Sequence, residues 1–380
     1  MKNIDATFNW DPESNQSFDY PREVTLRGPA EAFNKMQGCG LEVYGMATGP
    51  VHVGPVQAGP LILLPDSTGA DVINWSVPAT KDKNSTFLFL EKADFRIAGD
   101  KNLKTITLTD SSRHRPYFAI DFKLFDDSRV TLENLRAVFL GMSRLDTIKS
   151  PYLTGIQNSR FIISAEYIEL FYNAIISGYS TLDVQANEIS TNNIAGSILS
   201  GLRFNNNSSL LLNVRLEQHT DSNLNLSSSL SFYDSSYGNI FARTICNDVP
   251  DNNEGDYVAI DAFDNSTVDI HTTQFSQGNG MGKIIQLSGS AKVTINPLNN
   301  TIPIAPVQEL QKPTGKCWAG MINFKSGSKA TLTLAAATLQ NLPDVMALND
   351  LKIVYVDEMP VDILSSFNIS FKDGIVLKLK

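Results

Sequence analysis

SLSFYDSSYGNIFARTI at residues 229–245 and AIDAFDNSTVDIHTTQF at residues 259–275 follow one scheme: an alternating apolar strand, a polar corner ending in Ser, and a second alternating strand. The scheme repeats to either side, in FKLFDDSRVTLENLRAVF (122–139), NAIISGYSTLDVQANEI (173–189), LRFNNNSSLLLNVRLE (202–217), IIQLSGSAKVTINPL (284–298) and MINFKSGSKATLTLAA (321–336). The shared corner serines are Ser128, Ser180, Ser208, Ser236, Ser266, Ser290 and Ser328, spaced 52, 28, 28, 30, 24 and 38 residues apart. The first interval holds two units, with SRFIISAEYIELFY (159–172) supplying the missing one, and the last carries an insertion.

The columns of the repeat define faces. Two and four residues after the serine stand Val130/Leu132, Leu182/Val184, Leu210/Leu212, Gly238/Ile240 and Val268/Ile270. Four and six before it stand Leu124/Phe122, Ile176/Ala174, Phe204/Leu202, Phe232/Leu230, Ala262/Ile260 and Phe324/Ile322. The intervening positions are largely polar, so the period is two and the elements are strands with one buried face. The DSS, DNS and SGS triplets suit a corner, since Asp, Asn, Ser and Gly accept turn conformations and bond back to their own main chain, and they equally suit hairpin turns. A unit of 28 residues has length for a third strand or a loop before the next turn, and is short for a four-stranded propeller blade of ~40 residues. Stacking of like units puts Ser on Ser and apolar on apolar. The expected fold is all-β: a parallel β-helix (β-solenoid) over 81–336, preceded by an irregular Gly/Pro-rich β segment (1–80) and followed by a β-rich C-terminal cap (337–380).

The flanks differ in kind from the repeat. GCGLEVYGMATGPVHVGPVQAGPLILLP (38–65) breaks short Val, Leu and Ile pairs with Gly and Pro, so it reads as short strands, with a boundary near Pro78. ENLRAVFLGMSRLDTI (133–148) follows a repeat strand directly and reads as strand plus loop rather than helix. The tail holds LKIVYV, VDIL, NISF and IVLKLK, short strands suited to covering the end of a sheet that would otherwise template aggregation.

Composition narrows the function classes. A formal net charge of -9 over 380 residues lacks the basic stripe that nucleic acid requires. No run approaches the ~20 apolar residues of a membrane span, and the N-terminal MKNIDATFNWDPESNQ lacks the apolar core of a signal peptide. Cys39, Cys246 and Cys317 have no disulfide or zinc spacing and are expected as buried small hydrophobes. No cofactor or metal is expected; DNNEGD (251–256) is acidic but lacks EF-hand spacing.

The strand–corner–strand repeat from Phe87 to Leu334 resembles the right-handed parallel β-helix proteins, a group that includes pectin-lyase-like enzymes, bacteriophage tailspikes and surface adhesins. The chain departs from the enzymes of that group: it has neither the NTD, DD and GHG set of polygalacturonases nor the RxPxxR of pectate lyases. GxSxG, HExxH and P-loop motifs are also missing. The resemblance implies a virion or extracellular spike or receptor-binding protein that recognises a cell-surface polysaccharide. It implies a homotrimer, docked to other virion subunits through residues 1–80. A polysaccharide-depolymerising glycosidase or lyase is the alternative, and a structural capsid or appendage component the third.

Column arithmetic nominates the contact residues. Tyr233 and Phe263 stand three before their serines, and Arg203 and Asp261 five before. Flat aromatic faces beside planar polar groups suit sugar rings. On the second strand Asp269 and His271 share a face, with Asn239 and Phe241 one unit away. Arg203, Tyr233, Phe263, Asp261, Asp269 and His271 are therefore the expected glycan-binding set. Asp261 with Asp264, or Asp183 with Glu188, are candidate carboxylate pairs for glycoside cleavage, which needs ~5 to 9.5 Å between them. His52, His114 and His219 read as ordinary surface histidines.

Overall fold

In a computed structural model of the chain, the strand backbones are described from Asp5 onward. Side chains are described over 122–380, apart from 126, 134–137, 139–153, 171–173, 192–200, 215–221, 248–257, 277–282, 300–321, 337–340 and 373. The boundary expected near Pro78, the DNNEGD loop, Cys39, Cys317, His52, His114 and His219 lie outside the described residues. The structure is all-β with parallel strands in sheets, and it divides into two compact units, Met1–Ala186 with Ile194–Ser200, and Asn187–Asn193 with Gly201–Lys380.

In the first unit the strands before each corner pair in parallel in the order Gln16–Asp19, Leu41–Tyr44, Ser85–Leu90, Ile120–Leu124, Tyr152–Gly155 and Asn173–Ile176. Those after it run Asp5–Thr7, Val24–Gly28, Leu61–Pro65, Asp94–Ala98, Arg129–Leu140, Arg160–Leu170 and Thr181–Ala186. The parallel order reaches back to Asp5, so LEVYG and PLILLP are backbone members of the same two series. Arg129–Leu140 is one 12-residue strand, and Arg160–Leu170 fills the long serine interval with Ser159 at its corner, 1 % exposed.

In the second unit the first sheet runs Gly201–Phe204, Ser229–Phe232, Val258–Ala262, Lys283–Leu287, Ile322–Phe324 and Val354–Val356, all parallel. The second sheet runs Ser209–Val214, Tyr237–Phe241, Thr267–Thr272, Lys292–Pro297 and Thr331–Leu334. A third strand per unit, Glu188–Thr191, Asn223–Leu226, Thr244–Asn247 and Gln274–Gln277, forms its own parallel row. That row accounts for the length of the repeat. Every described residue named above for the inward columns is buried. Phe204 and Phe232 stack with centroids 5.2 Å apart, and Gly238 leaves room for the Phe232 ring, whose Cε1 and Cζ lie 2.6 Å from where a Cβ would sit.

The corners show what the serine column requires. A residue with positive φ opens each corner: Asn206, Asp234, Asp264 and Gly289 at 57°, 56°, 53° and 62°. The buried residue follows two later. Ser208, Ser236 and Ser266 are 0–1 % exposed, yet the hydroxyls of Ser236 and Ser266 find no partner. At Ser236 and Ser266 the position therefore selects a small side chain rather than a hydrogen bond, whereas in the first unit Ser159 Oγ donates to Ser180 Oγ at 3.1 Å. Register confirms this further along: Thr267 pairs with Lys292 and Lys292 with Thr331, so Ser266 is followed in the column by Ala291 and Ala330, both 0 % exposed. Ser290 and Ser328 are off the column, because Gly289 takes the positive-φ position and the next corner has one extra residue. Nor do the corner carboxylates bond back to their own main chain; Asp234 Oδ2 accepts from Asn206 N at 2.9 Å and Asp264 Oδ2 from Asp234 N at 3.3 Å, clamping successive corners.

The tail ends both sheets with antiparallel strands. Met359–Pro360 pairs with Val354–Val356, and Ile375–Leu379 covers Thr331–Leu334 while pairing with Phe367–Ser370. It also contains helix α1, Leu342–Asp350, which the strand reading did not anticipate, although Asn341 and Asp344 form a capping box and Pro343 stands in its first turn. VDIL is not a strand: Asp362 caps a four-residue helix, α2, Ile363–Ser366.

Candidate functional site

The outer face of the first sheet in the second unit is built by register. Arg203 pairs with Ser231, Ser231 with Asp261, Asp261 with Gln286, and Gln286 with Asn323. At the corner beside this row Tyr233 N donates to Phe204 O and Phe263 N to Phe232 O, so the two aromatic residues succeed each other directly. Their rings stack with centroids 4.7 Å apart and planes within 4°. Strand spacing of ~4.8 Å produces that separation without further design. Both rings are half-exposed, and the positions before and after them in the column are Asn205 and Ser288, short polar side chains.

Asp261 sits at the end of a one-way chain of donors. Glu358 N donates to Asn323 Oδ1 (2.9 Å), Asn323 Nδ2 to Gln286 Oε1 (3.2 Å), and Gln286 Nε2 to Asp261 Oδ1 (3.2 Å). Asn323 is fully buried and Gln286 nearly so, and the chain satisfies their amides. Burial pushes the Asp261 carboxyl up to about 7, against the opposing pull of the Gln286 hydrogen bond and of Lys283 and Lys325. The group therefore exchanges a proton near neutrality, with Oδ1 pinned and Oδ2 without a described partner. Burial also raises the Tyr233 phenol, helped by Asp261 and Asp264 and opposed by Arg203 and a Ser231 hydrogen bond. Lys283, 3 % exposed, is ion-paired with Glu358, and Lys325 Nζ lies 3.9 Å from the same carboxylate.

The six residues nominated from sequence do not form one cluster. Arg203, Tyr233, Asp261 and Phe263 belong to the first sheet and its corner, whereas Asp269 and His271 lie on Thr267–Thr272 in the second sheet. There the His271 ring stacks on Phe241 at 3.9 Å, and Tyr237 Oη donates to Asp269 Oδ2 at 3.0 Å. Burial lowers the His271 pKa, and Asp269 opposes that shift. Gln286 was not nominated from sequence: it stands four residues before Ser290, an inward spacing, whereas counting from Gly289 places it outward beside Asp261. Lys283 stands at the start of its strand, and Glu358 arrives from the terminal hairpin, outside the repeat altogether.

The other candidates have structural partners. Asp264 clamps the Asp234 amide, Asp183 accepts from Gln185 Nε2 (3.3 Å), and Glu188 from Asn225 Nδ2 (3.5 Å). Asp183 and Glu188 belong to different units. Cys246, expected buried, has intermediate exposure: it pairs in register with Asn225 and Ser276, while its neighbours Ile245 and Asn247 are buried. Among the described residues no group of three or more His, Cys, Asp and Glu is placed to hold a metal, and no helix is long and apolar enough to cross a membrane. No protein-family model, curated protein or solved structure matches the chain.

Proposed function

We propose that the repeat is a parallel β-solenoid whose second unit binds a cell-surface glycan on the outer face of its first sheet, as the recognition surface of a spike-type or receptor-binding protein. The observation that carries this reading is the coplanar Tyr233–Phe263 pair beside Asp261 and in the same row as Arg203. Sugar rings present C–H faces to aromatic surfaces and hydroxyls to planar polar groups, and a repeat in register offers both along one line. Asp261 donates when protonated and accepts when ionised, so either arrangement of hydroxyls is matched. Assembly as a homotrimer, held to other virion subunits by residues 1–80, belongs to the same proposal.

The titration of Asp261 near 7 favours one second reading, a depolymerase in which that carboxyl is the general acid. Incubating the full chain with host capsular polysaccharide and lipopolysaccharide, while following polymer length and protein mass by light scattering, separates the readings. Binding without shortening, lost in Tyr233→Ala, supports recognition. Shortening lost in Asp261→Asn supports the depolymerase. A monomer that neither binds nor cleaves leaves a structural component.

A further inference from the structure

The outer face of the second sheet carries a group of side chains that the site on the first sheet does not use. Tyr237, Asn239 and Phe241 project from one strand and pair in register with Thr267, Asp269 and His271 on the next. Leu211 and Asn213 precede Asn239 and Phe241 on the same face, and both are exposed. Tyr237 Oη occupies one oxygen of Asp269 and fixes the carboxylate. The other oxygen has no partner among the described residues. The same holds for both ring nitrogens of His271, which stack with their ring flat on Phe241. Asn239 Oδ1, between Leu211 and Asp269 in the register, is enclosed without any hydrogen bond.

Polar groups left idle on a half-buried surface are open to a ligand that supplies their partners. Those here are one Asp269 carboxylate oxygen, the two ring nitrogens of His271, which burial keeps neutral so that one donates and the other accepts, and the Nδ2 group of Asn239, whose Oδ1 is enclosed out of reach. Such a set offers both donors and acceptors and carries the negative charge of Asp269. It rejects an acidic ligand and suits one whose polar atoms are hydroxyls. The near-parallel Phe241–His271 pair provides an apolar slab beside those acceptors, as a hexose ring with vicinal hydroxyls requires. Of the neighbouring cations, Lys292 pairs with Thr267 at the far side of the face from His271, and Arg243 lies past the bend after Phe241, where Ala242 N donates to His271 O.

We infer that the face formed by Asn239, Phe241, Asp269 and His271 is a second carbohydrate site, separate from the Tyr233–Phe263 site and selective for neutral sugar units. The inference rests on the glycan reading above, and it makes one chain bivalent. A linear polysaccharide then engages two faces, so that avidity exceeds the affinity of either.

A printed array of neutral and acidic microbial glycans, probed with the full chain and with Tyr233→Ala, Asp269→Asn and His271→Ala, tests it. Circular dichroism and melting curves establish that each variant is folded. Asp269→Asn keeps an acceptor for Tyr237, so it remains informative if His271→Ala does not fold. The expected result is at least one neutral glycan that Tyr233→Ala still binds and that Asp269→Asn and His271→Ala bind at least 10-fold more weakly. If all binding disappears in Tyr233→Ala, or survives in both second-sheet variants, the second site is refuted and the first stands. Retention of acidic glycans alone at this face also refutes it. If no glycan binds the unmodified chain, both proposals fall together.

Discussion

At the residue scale, the corner column and Asp261 carry the sharpest expectations. Ser266 is fully buried with an unsatisfied hydroxyl, and its successor in the column is Ala291. Ser266→Ala should therefore be neutral or stabilise by about 1 kcal/mol, the desolvation cost of an unmade hydrogen bond. Ser266→Val should cost about 1–3 kcal/mol through overpacking. Urea denaturation measures both, and a large loss in the alanine variant would mean that the hydroxyl is needed after all. For Asp261 the native carboxyl titrates near 7 and an ordinary aspartate near 3.8. Between those values the unfolded chain has released a proton that the native state keeps, so this group's contribution to stability falls as pH rises through that window and is flat above it. Asp261→Asn abolishes the dependence. It should be the more stable protein at pH 8, by on the order of 3 kcal/mol, with the difference vanishing below pH ~4. Both residues were visible in the sequence, Ser266 as a repeat position and Asp261 as an outward one. The reason for the serine was not, since polar corner composition reads equally as hydrogen bonding or as a demand for smallness. Only the alanines that replace it, hidden by aligning SGS with DNS, decide between them.

At the element scale, strands of one row exchange volume with one another. Gly238 stands where every other described member of its column is Val, Leu or Phe, because the Phe232 ring occupies the space. Gly238→Val should destabilise by about 1–3 kcal/mol or more, and Phe232→Leu in the same chain should recover part of the loss. A double-mutant cycle with no coupling would show that the glycine serves something else. The terminal hairpin, Val354–Val356 with Met359–Pro360, is tied to the first sheet by Glu358, which holds the buried Lys283. Glu358→Gln leaves that ammonium unpaired and should cost about 1–3 kcal/mol, less than the 3–5 kcal/mol of a fully enclosed pair because Glu358 is 39 % exposed. Lys283→Met combined with Glu358→Gln should restore most of it. Strand periodicity made the repeat elements legible from Phe122 onward. The helices of the tail were not, because α1 presents only nine residues with two buried positions, too few for its period to outweigh neighbouring strand-like runs. Its capping box was the available signal.

At the scale of the whole molecule, each unit is a series of strands added in parallel, and the second is finished by antiparallel strands. Ending the chain at Gly374 removes Ile375–Leu379 and exposes the edge of Thr331–Leu334. That truncation should convert a dispersed protein into one whose light scattering grows with time, as an open parallel edge recruits other chains. The sequence revealed this architecture because units in register repeat their inward columns. It revealed the proposed glycan face only in part, because a residue's outer neighbours depend on register to the single position. The slip at Ser290 hid Gln286, and the hairpin that delivers Glu358 obeys no repeat. The most direct measurement is titration calorimetry of the full chain with the glycan that scores highest on the array, repeated with Tyr233→Ala and Phe263→Ala. Saturable binding weakened at least 10-fold by either substitution, with melting temperature held, is the expected result. Binding unchanged by both, or none at all, would contradict recognition at the Tyr233–Phe263 face.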